Sequence, residues 1–162
     1  MIKLIRLDER MIHGQVAIKW SRHLSVDRII VANDAAAANA VVQKSLMMAA
    51  PPTAKVAIKS VQDTITMLKN PKAANHDILL IVANPDDLLE MVRNVEGIQA
   101  VNIGNYGRVA AKRGTESRKT YSNNLYAYPD EAEVLKQVAQ SGIPTTVQTI
   151  PDDAPVDLMK LL

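Results

Sequence analysis

Four side chains near the start of the chain have the types and the spacing that phosphoryl transfer requires. Arg6, Asp8 and Arg10 alternate at a period of two, and His13 follows three residues later. Alternate side chains of extended backbone project to the same side, so all three can approach the imidazole. The carboxylate can fix the imidazole tautomer and leave the other nitrogen nucleophilic, while two guanidinium groups bind phosphoryl oxygens. The pattern predicts a transient phosphohistidine at His13, with Asp8 orienting the ring and Arg6 and Arg10 stabilising the phosphate. A structural ion-pair network is the alternative interpretation.

The elements predicted around His13 favour an anion at this position. The apolar run Ile2–Leu7 predicts a buried strand, and an amphipathic pattern over Gly14–Leu24 predicts a helix. A helix N-terminus offers unpaired N–H groups and the positive end of the helix dipole. His13 therefore falls where a negatively charged product is easiest to bind.

The remainder of the chain alternates short apolar runs with amphipathic segments. Further strands are predicted at Arg28–Ala32, Lys55–Lys59, Asp77–Ala83, Gln99–Ile103, Asn124–Tyr128 and Thr145–Thr149. Further helices are predicted at Ala35–Ala50, Ser60–Leu68, Pro85–Val95, Pro129–Ser141 and Pro155–Leu162. This alternation is typical of βαβ units. We predict one α/β domain over residues 1–162: a single-domain open, mostly parallel twisted β-sheet of about seven strands with helices on both faces.

Composition excludes several classes of protein. The formal net charge is only +2, and the chain has one Trp, four Tyr and no Phe, so a nucleic-acid partner is not expected. The absence of cysteine excludes disulfides, thiolate nucleophiles and cysteine metal sites. No apolar run reaches the ~18 residues of a membrane span. We expect a soluble cytoplasmic protein with no metal site and no cofactor.

The segment Gly104–Ser122 lacks the period of a helix or a strand. It contains three glycines and five basic residues, Arg118 among them. It is predicted to be either a solvated surface loop or a basic lip over the active site, since it follows Asn102 and Gly104 at the end of a strand, where open α/β sheets bind their ligands.

The two other histidines have simpler interpretations. His76 lies in a polar turn before a strand, where a solvent-facing role is expected. His23 is ten residues after His13 on the same predicted helix and points well away from it at ~100° per residue.

Beyond these patterns, the chain resembles the enzyme IIB component of the mannose/fructose/sorbose family of the bacterial phosphoenolpyruvate-dependent sugar phosphotransferase system. The resemblance begins with Arg6-x-Asp8-x-Arg10-x-x-His13-Gly14-Gln15-Val16, then Trp20, then Ile30-Val31-Ala32-Asn33-Asp34. Weaker landmarks follow in the same order: Met47-Met48-Ala49-Ala50-Pro51, Val82-Ala83-Asn84-Pro85 and Val101-Asn102-Ile103-Gly104.

The resemblance implies a function and a set of partners. It implies that His13 accepts a phosphoryl group from a phosphohistidine of a IIA protein and passes it to a sugar imported through the IIC and IID membrane proteins. The protein would then lie at the inner face of the membrane, attached through this permease. The IIA protein is expected to be a separate chain, and relatives commonly work in multi-subunit assemblies, so a homo-oligomer is a further expectation.

The resemblance also implies site residues. Arg6 and Arg10 match the arginines that support the phosphate, and Asp8 matches the acid of the same loop. The acidic pair is often Asp-Asp in the family, whereas it is Asp8-Glu9 here. Further phosphate-binding or loop-supporting residues are expected among Gly14, Gln15, Asp34, Asn102, Gly104 and Arg118.

Two functions of other classes are compatible with an α/β sheet. A receiver-like regulatory module would use Asp34 and an acidic Mg²⁺ site, but it would leave Arg6 and Arg10 without a role. A nucleotide- or flavin-binding module would need a glycine-rich phosphate loop or stacking aromatics, and neither pattern is present.

Overall fold

Nine strands and six α-helices form the structure, a computed structural model that describes all 162 residues. The strands are β1 (Ile2–Asp8), β2 (Arg28–Ala32), β3 (Lys55–Lys59), β4 (Ile78–Val82), β5 (Val101–Asn105), β6 (Lys119–Ser122), β7 (Leu125–Ala127), β8 (Thr145–Val147) and β9 (Val156–Asp157). The helices are α1 (Gly14–Leu24), α2 (Asp34–Ala37), α3 (Ala40–Met48), α4 (Val61–Leu68), α5 (Pro85–Asn94) and α6 (Pro129–Ala139). Two 3-10 turns lie at Pro71–Asn75 and Leu158–Lys160.

Seven of the strands form one open sheet in the order β3-β2-β4-β1-β5-β8-β9. All neighbours are parallel except β8 and β9, which are antiparallel. The central strand β4 is buried along its whole length because helices cover both of its faces. The prediction of an open, mostly parallel sheet of about seven strands is confirmed.

The helices divide between the two faces of the sheet. Helices α1, α2 and α3 pack on one face around Trp20 and Leu46. Helices α4, α5 and α6 pack on the other face around Ile65, Met91 and Leu135. The helices have at most eleven residues, and none combines the length and the apolar character needed to cross a bilayer.

The seventh strand of the sheet is not the predicted one. The segment Asn124–Tyr128 does contain β7, but β7 pairs with β6 in a separate antiparallel hairpin. The sheet is instead completed by β9, which lies in Pro155–Leu162, where a helix was predicted. That prediction was wrong because Val156 pairs with Val147, and Asp157 then caps a short turn that buries Leu158.

The predicted helix Ala35–Ala50 is two helices, α2 and α3, and Asn39 separates them. The Asn39 side chain accepts hydrogen bonds from the first N–H groups of α3, which is the role of an N-cap residue. Gln43 then donates to the carbonyl groups of Ala36 and Ala37 at the end of α2, at 3.1 and 2.8 Å. The side chains of Asn39 and Gln43 thus form hydrogen bonds with the free backbone groups at the start of α3 and at the end of α2.

Candidate active site

The predicted site residues lie at the carboxyl edge of the sheet, between β1 and β5. Asp8 at the end of β1 pairs with Asn105 at the end of β5. The chain leaves β1 for α1 on one face of the sheet, and leaves β5 for the hairpin and α6 on the other face. Such a change of direction opens a crevice where α/β proteins bind ligands. The crevice here has a volume of about 420 Å³, and we call it the His13 cleft. Its lining residues are Arg6, Asp8, Arg10, His13, Gly14, Gln15, Val16, Asn105, Arg108, Asn124 and Thr149.

His13 occupies the N-cap position of α1. Its backbone is extended, and its side chain does not cap the helix, so the imidazole is left for the cleft. Gly14 begins the helix with a φ of +49°, in the left-handed region that glycine adopts readily. The first turn contains no acidic residue. The N–H groups and positive dipole end of α1 therefore meet the cleft without a neutralising carboxylate.

One nitrogen of His13 is bonded to Asp8. The His13 Nε2 atom lies 2.8 Å from Asp8 Oδ2, and the imidazole is 20 % exposed. An ionised carboxylate only accepts hydrogen bonds, so Nε2 carries the proton of the neutral ring. The lone pair is then on Nδ1, and Nδ1 is the nucleophilic nitrogen.

Asp8 is fully buried beneath the imidazole and is held from three directions. Besides His13, it accepts from Arg6 Nη2 at 3.0 Å and from the Arg10 backbone N–H at 2.9 Å. Burial alone raises the pKa of this carboxyl. The hydrogen bond to His13 and the charge of Arg6 outweigh that effect and hold the pKa of Asp8 below its usual value. Asp8 is therefore ionised at neutral pH, and its bond to Nε2 is the contact that the predicted orienting role requires.

Arg6 lines the His13 cleft but lies buried beneath Asp8. Its side chain is only 2 % exposed, and its Cζ atom stands 5.4 Å from the centre of the Trp20 ring. Its Nη1 atom donates to Asn102 Oδ1 and to the Gln148 carbonyl, Nη2 donates to Asp8, and Nε is buried without a partner. Burial lowers the pKa of Arg6 and the carboxylate of Asp8 opposes that shift. These contacts show Arg6 supporting Asp8 and leave one N–H group of Nη2 without a partner, so its predicted role in binding phosphate stays a prediction.

Asn102 and Gly104 both contact the Arg6 side chain beneath Asp8. Asn102 is buried, and its amide bridges Arg6 and the Gln148 carbonyl. Gly104 lies directly against the Arg6 guanidinium, and a Cβ atom there would overlap it. The sequence predicted both residues near the site but could not show that they contact Arg6 rather than a ligand.

Gly104→Ala is expected to destabilise the fold by about 1–3 kcal/mol, the usual cost of overpacking a filled site. The added methyl group displaces Arg6 and so disturbs Asp8, which should also slow transfer to His13. Urea unfolding gives the change in stability. Gly114→Ala is the control, because a Cβ atom at Gly114 would contact no other residue. This variant adds only the backbone strain of a φ of +61°. A Gly104→Ala protein with unchanged stability and unchanged transfer would contradict the contact with Arg6.

Arg10, unlike Arg6, has an exposed guanidinium that is free for a ligand. It is exposed, its side chain makes no hydrogen bond or ion pair, and it lines the His13 cleft. Met11 follows with a φ of +61°, which turns the chain back toward His13. Gln15 also lines the cleft with a free side chain. Arg10 is therefore placed where the sequence predicts a phosphate-binding guanidinium.

Two further predicted residues, like Asn102 and Gly104, do not line the His13 cleft. Asp34 accepts a hydrogen bond from the Val61 backbone N–H at 2.8 Å and so connects β2 to the start of α4. Arg118 is bonded to Glu131 at 2.9 Å and to the carbonyl groups of Ala110 and Ala111, with its guanidinium over Tyr128. These contacts fit the loop-supporting alternative of the prediction for Asp34 and Arg118, and neither residue lines the cleft.

Four residues of the site were not predicted from the sequence. Trp20 covers Arg6 and donates to the Thr149 carbonyl at 3.0 Å, which joins α1 to the end of β8. Gln148 supplies the carbonyl beneath Arg6. Glu9 and Arg108 meet at the other side of the cleft. No short-range pattern in the sequence indicates these contacts, because the two residues that form each hydrogen bond are about a hundred or more residues apart in the chain.

Comparison with known proteins identifies the family. The family model described as "PTS system sorbose subfamily IIB component" matches residues 2–162. The chain is 34 % identical to a probable phosphotransferase enzyme IIB component of Streptococcus pyogenes serotype M6, over 100 % of this chain and 99 % of that protein. It is 33 % identical to the mannose-specific EIIAB component of Escherichia coli K12, over 100 % of this chain but only 48 % of that longer protein.

A solved structure agrees with this identification. The IIB domain of the sorbose permease from Klebsiella pneumoniae has a TM-score of 0.88 and 28 % identity, covering 99 % of this chain and 95 % of that one. The chain belongs to the mannose/fructose/sorbose family of phosphotransferase system IIB components, phosphocarriers that accept a phosphoryl group from IIA and pass it to a sugar through the IIC and IID permease.

Proposed function

We propose that Nδ1 of His13 is the atom that carries the phosphoryl group. The observation that supports this most directly is the 2.8 Å bond between Nε2 and the buried Asp8 carboxylate. That bond commits Nε2 as a donor and leaves the Nδ1 lone pair as the nucleophile. It also stabilises the positive charge that the ring gains during attack.

In the proposed step, the Nδ1 lone pair of His13 attacks the phosphorus of the IIA phosphohistidine. A new P–N bond forms at Nδ1 while the donor's P–N bond breaks, and its electron pair returns to the donor imidazole. Arg10 and the first N–H groups of α1 bind the phosphoryl oxygens. Donor and product are both phosphoramidates, so positioning and charge stabilisation are the main contributions of the protein.

The second step passes the group to a sugar hydroxyl. The P–N bond breaks, a P–O bond forms, the hydroxyl proton leaves, and Nδ1 recovers its lone pair. We propose that this step takes place with the protein in the cytoplasm and docked on the inner face of the membrane through the IIC and IID proteins. Its phosphate donor would be a IIA protein or domain. A homo-oligomer stays a prediction.

The experiment that tests this assignment uses the intact protein. It is incubated with phosphoenolpyruvate, the general phosphotransferase proteins and a cognate IIA protein, and the adduct is examined for acid lability and base stability. Peptide mapping then locates the phosphate, and NMR of the phosphorylated imidazole identifies the nitrogen. We expect one phosphate on Nδ1 of His13. An adduct on Nε2, on His23 or on His76 would contradict the proposal.

A further inference from the structure

Glu9 holds the segment that follows β5 through an unusual number of hydrogen bonds. Its carboxylate accepts from the backbone N–H groups of four consecutive residues, Gly107 to Ala110, at 3.0 to 3.3 Å. Its own N–H donates to the Asn105 carbonyl at 2.9 Å. Hydrogen bonds to an ionised acceptor are the strong ones, so Glu9 ties this segment firmly to the loop between Asp8 and His13.

The geometry of the segment depends on this connection. Gly107 has a φ of +101°, and a Cβ atom there would overlap the Tyr126 carbonyl group, so the chain turns tightly over β7. Residues 108 and 109 are exposed, and their backbone N–H groups both donate to Glu9. The Glu9 carboxylate is therefore the principal contact that fixes the backbone of Arg108.

Arg108 is the residue that this arrangement brings to the His13 cleft. Its guanidinium lies 5.6 Å from the centre of the Tyr126 ring, and its Nη2 atom donates to the Asn123 carbonyl. Its Nη1 and Nε atoms have no partner in the structure. The residue lines the cleft, as Arg10 does. Of the five basic residues between Gly104 and Ser122, it is the only one that does so.

We propose that Arg108 is a catalytic residue that binds the transferring phosphoryl group, and that Glu9 is the positioning residue that places it there. The proposal rests on His13 being the phosphoryl acceptor. Phosphoryl transfer spreads charge over three oxygens, and a second guanidinium stabilises that charge. Arg6 is less available for this role, because Asp8, Asn102 and Gln148 engage three of the four N–H groups on its terminal nitrogens and its side chain is buried. Arg10 and Arg108 then form the pair that the chemistry needs.

The test measures single-turnover transfer from an excess of phosphorylated IIA protein to this chain. Arg108→Ala is expected to lower the maximal rate by about 10- to 100-fold, the effect of losing one hydrogen bond to a charged group. Arg108→Lys should recover part of the rate. Glu9→Gln should also slow transfer, since an amide cannot accept from four N–H groups as a carboxylate does.

The double variant separates positioning from a general loss of structure. If Glu9 acts through Arg108, Glu9→Gln combined with Arg108→Ala is no slower than Arg108→Ala alone. Arg113→Ala is the matched control: it removes one charge from the same segment, but Arg113 pairs with Asp130 at 2.6 and 2.9 Å, outside the cleft. Its transfer rate should match that of the unmodified chain.

The measured rates distinguish a failure of the Arg108 role from a failure of the proposed function. Wild-type rates in Arg108→Ala, or multiplied losses in the double variant, would overturn this inference. Arg108 is exposed and outside the core, so the Arg108→Ala result stands even if Glu9→Gln is unstable. If the unmodified chain takes no phosphate on His13, the proposed function itself fails. If His13 is phosphorylated and Arg108→Ala is as fast as the unmodified chain, only the role of Arg108 fails.

Discussion

A protein with His13→Gln should fold normally and take no phosphoryl group from IIA. Glutamine has no nucleophilic nitrogen, so the acceptor is removed outright. The side chain lies at the cleft surface and makes one hydrogen bond, to Asp8, which the glutamine amide can also donate. Circular dichroism should therefore show an intact fold, and radiolabelled phosphoenolpyruvate should label the unmodified chain but not this variant.

His23→Gln and His76→Gln are the controls for this prediction. His23 is exposed and packs edge-on against Trp20, with 6.0 Å between ring centres. His76 bonds through Nδ1 to Asp27 at 2.8 Å, in the turn before β4 as the sequence predicts. Both variants should be labelled like the unmodified chain. Label on His13→Gln, or its loss from either control, would refute His13 as the carrier.

Asp8→Asn should have the second largest effect, because it acts on both the chemistry and the fold. Without the carboxylate, the His13 tautomer is no longer fixed and the charge on the reacting ring is not balanced. In hydrolases with an Asp–His pair, the equivalent change costs about 10⁴ in rate. We expect transfer to slow by about 10²- to 10⁴-fold. The buried Arg6 also loses its counter-ion, which should lower the free energy of unfolding by roughly 3–5 kcal/mol.

The pH dependence of stability offers an independent check on Asp8. The pKa of Asp8 is lower in the folded chain than its usual value of 3.8, so the unfolded chain binds the proton more readily. The carboxylate therefore contributes stability above about pH 4, and this contribution is lost as the pH falls through the folded pKa. Urea unfolding at several pH values should show that loss in the unmodified chain and a smaller one in Asp8→Asn.

Asp153→Asn is the matched control for both measurements. Asp153 is exposed, and only its backbone groups form hydrogen bonds. Its stability and transfer rate should stay close to those of the unmodified chain. If the transfer rate and stability of Asp8→Asn matched those of Asp153→Asn, the contact between Asp8 and His13 would have no role in phosphoryl transfer.

Sequence predicted those parts of the site that depend on neighbouring residues. The apolar run of β1 and the helical pattern of α1 place His13 at a helix start, and the period of two brings Arg6 and Asp8 to the same side. The role of Arg6 could not be predicted in this way. Its partners Asn102 and Gln148 are 96 and 142 residues away, and only the completed sheet brings them together.

The wrong helix predictions have a similar cause. Local propensity favours one helix over Ala35–Ala50, but Asn39 caps a new helix within it. Local propensity also favours a helix over Pro155–Leu162, but pairing with β8 prevails there. In both segments, specific hydrogen bonds outweigh a weak preference of the backbone.

The distances along the chain between Arg6 and its partners determine when the site can exist during synthesis. The loop with His13 leaves the ribosome before its support does, because the Gln148 carbonyl lies 142 residues after Arg6 and the Thr149 carbonyl lies 129 residues after Trp20. At a typical rate of synthesis of ~5–20 residues per second, several seconds pass between the synthesis of His13 and that of the residues that support Asp8. A nascent chain that has not yet reached Gln148 and Thr149 therefore contains His13 and Asp8 without the contacts that hold Arg6 and Trp20 beneath them.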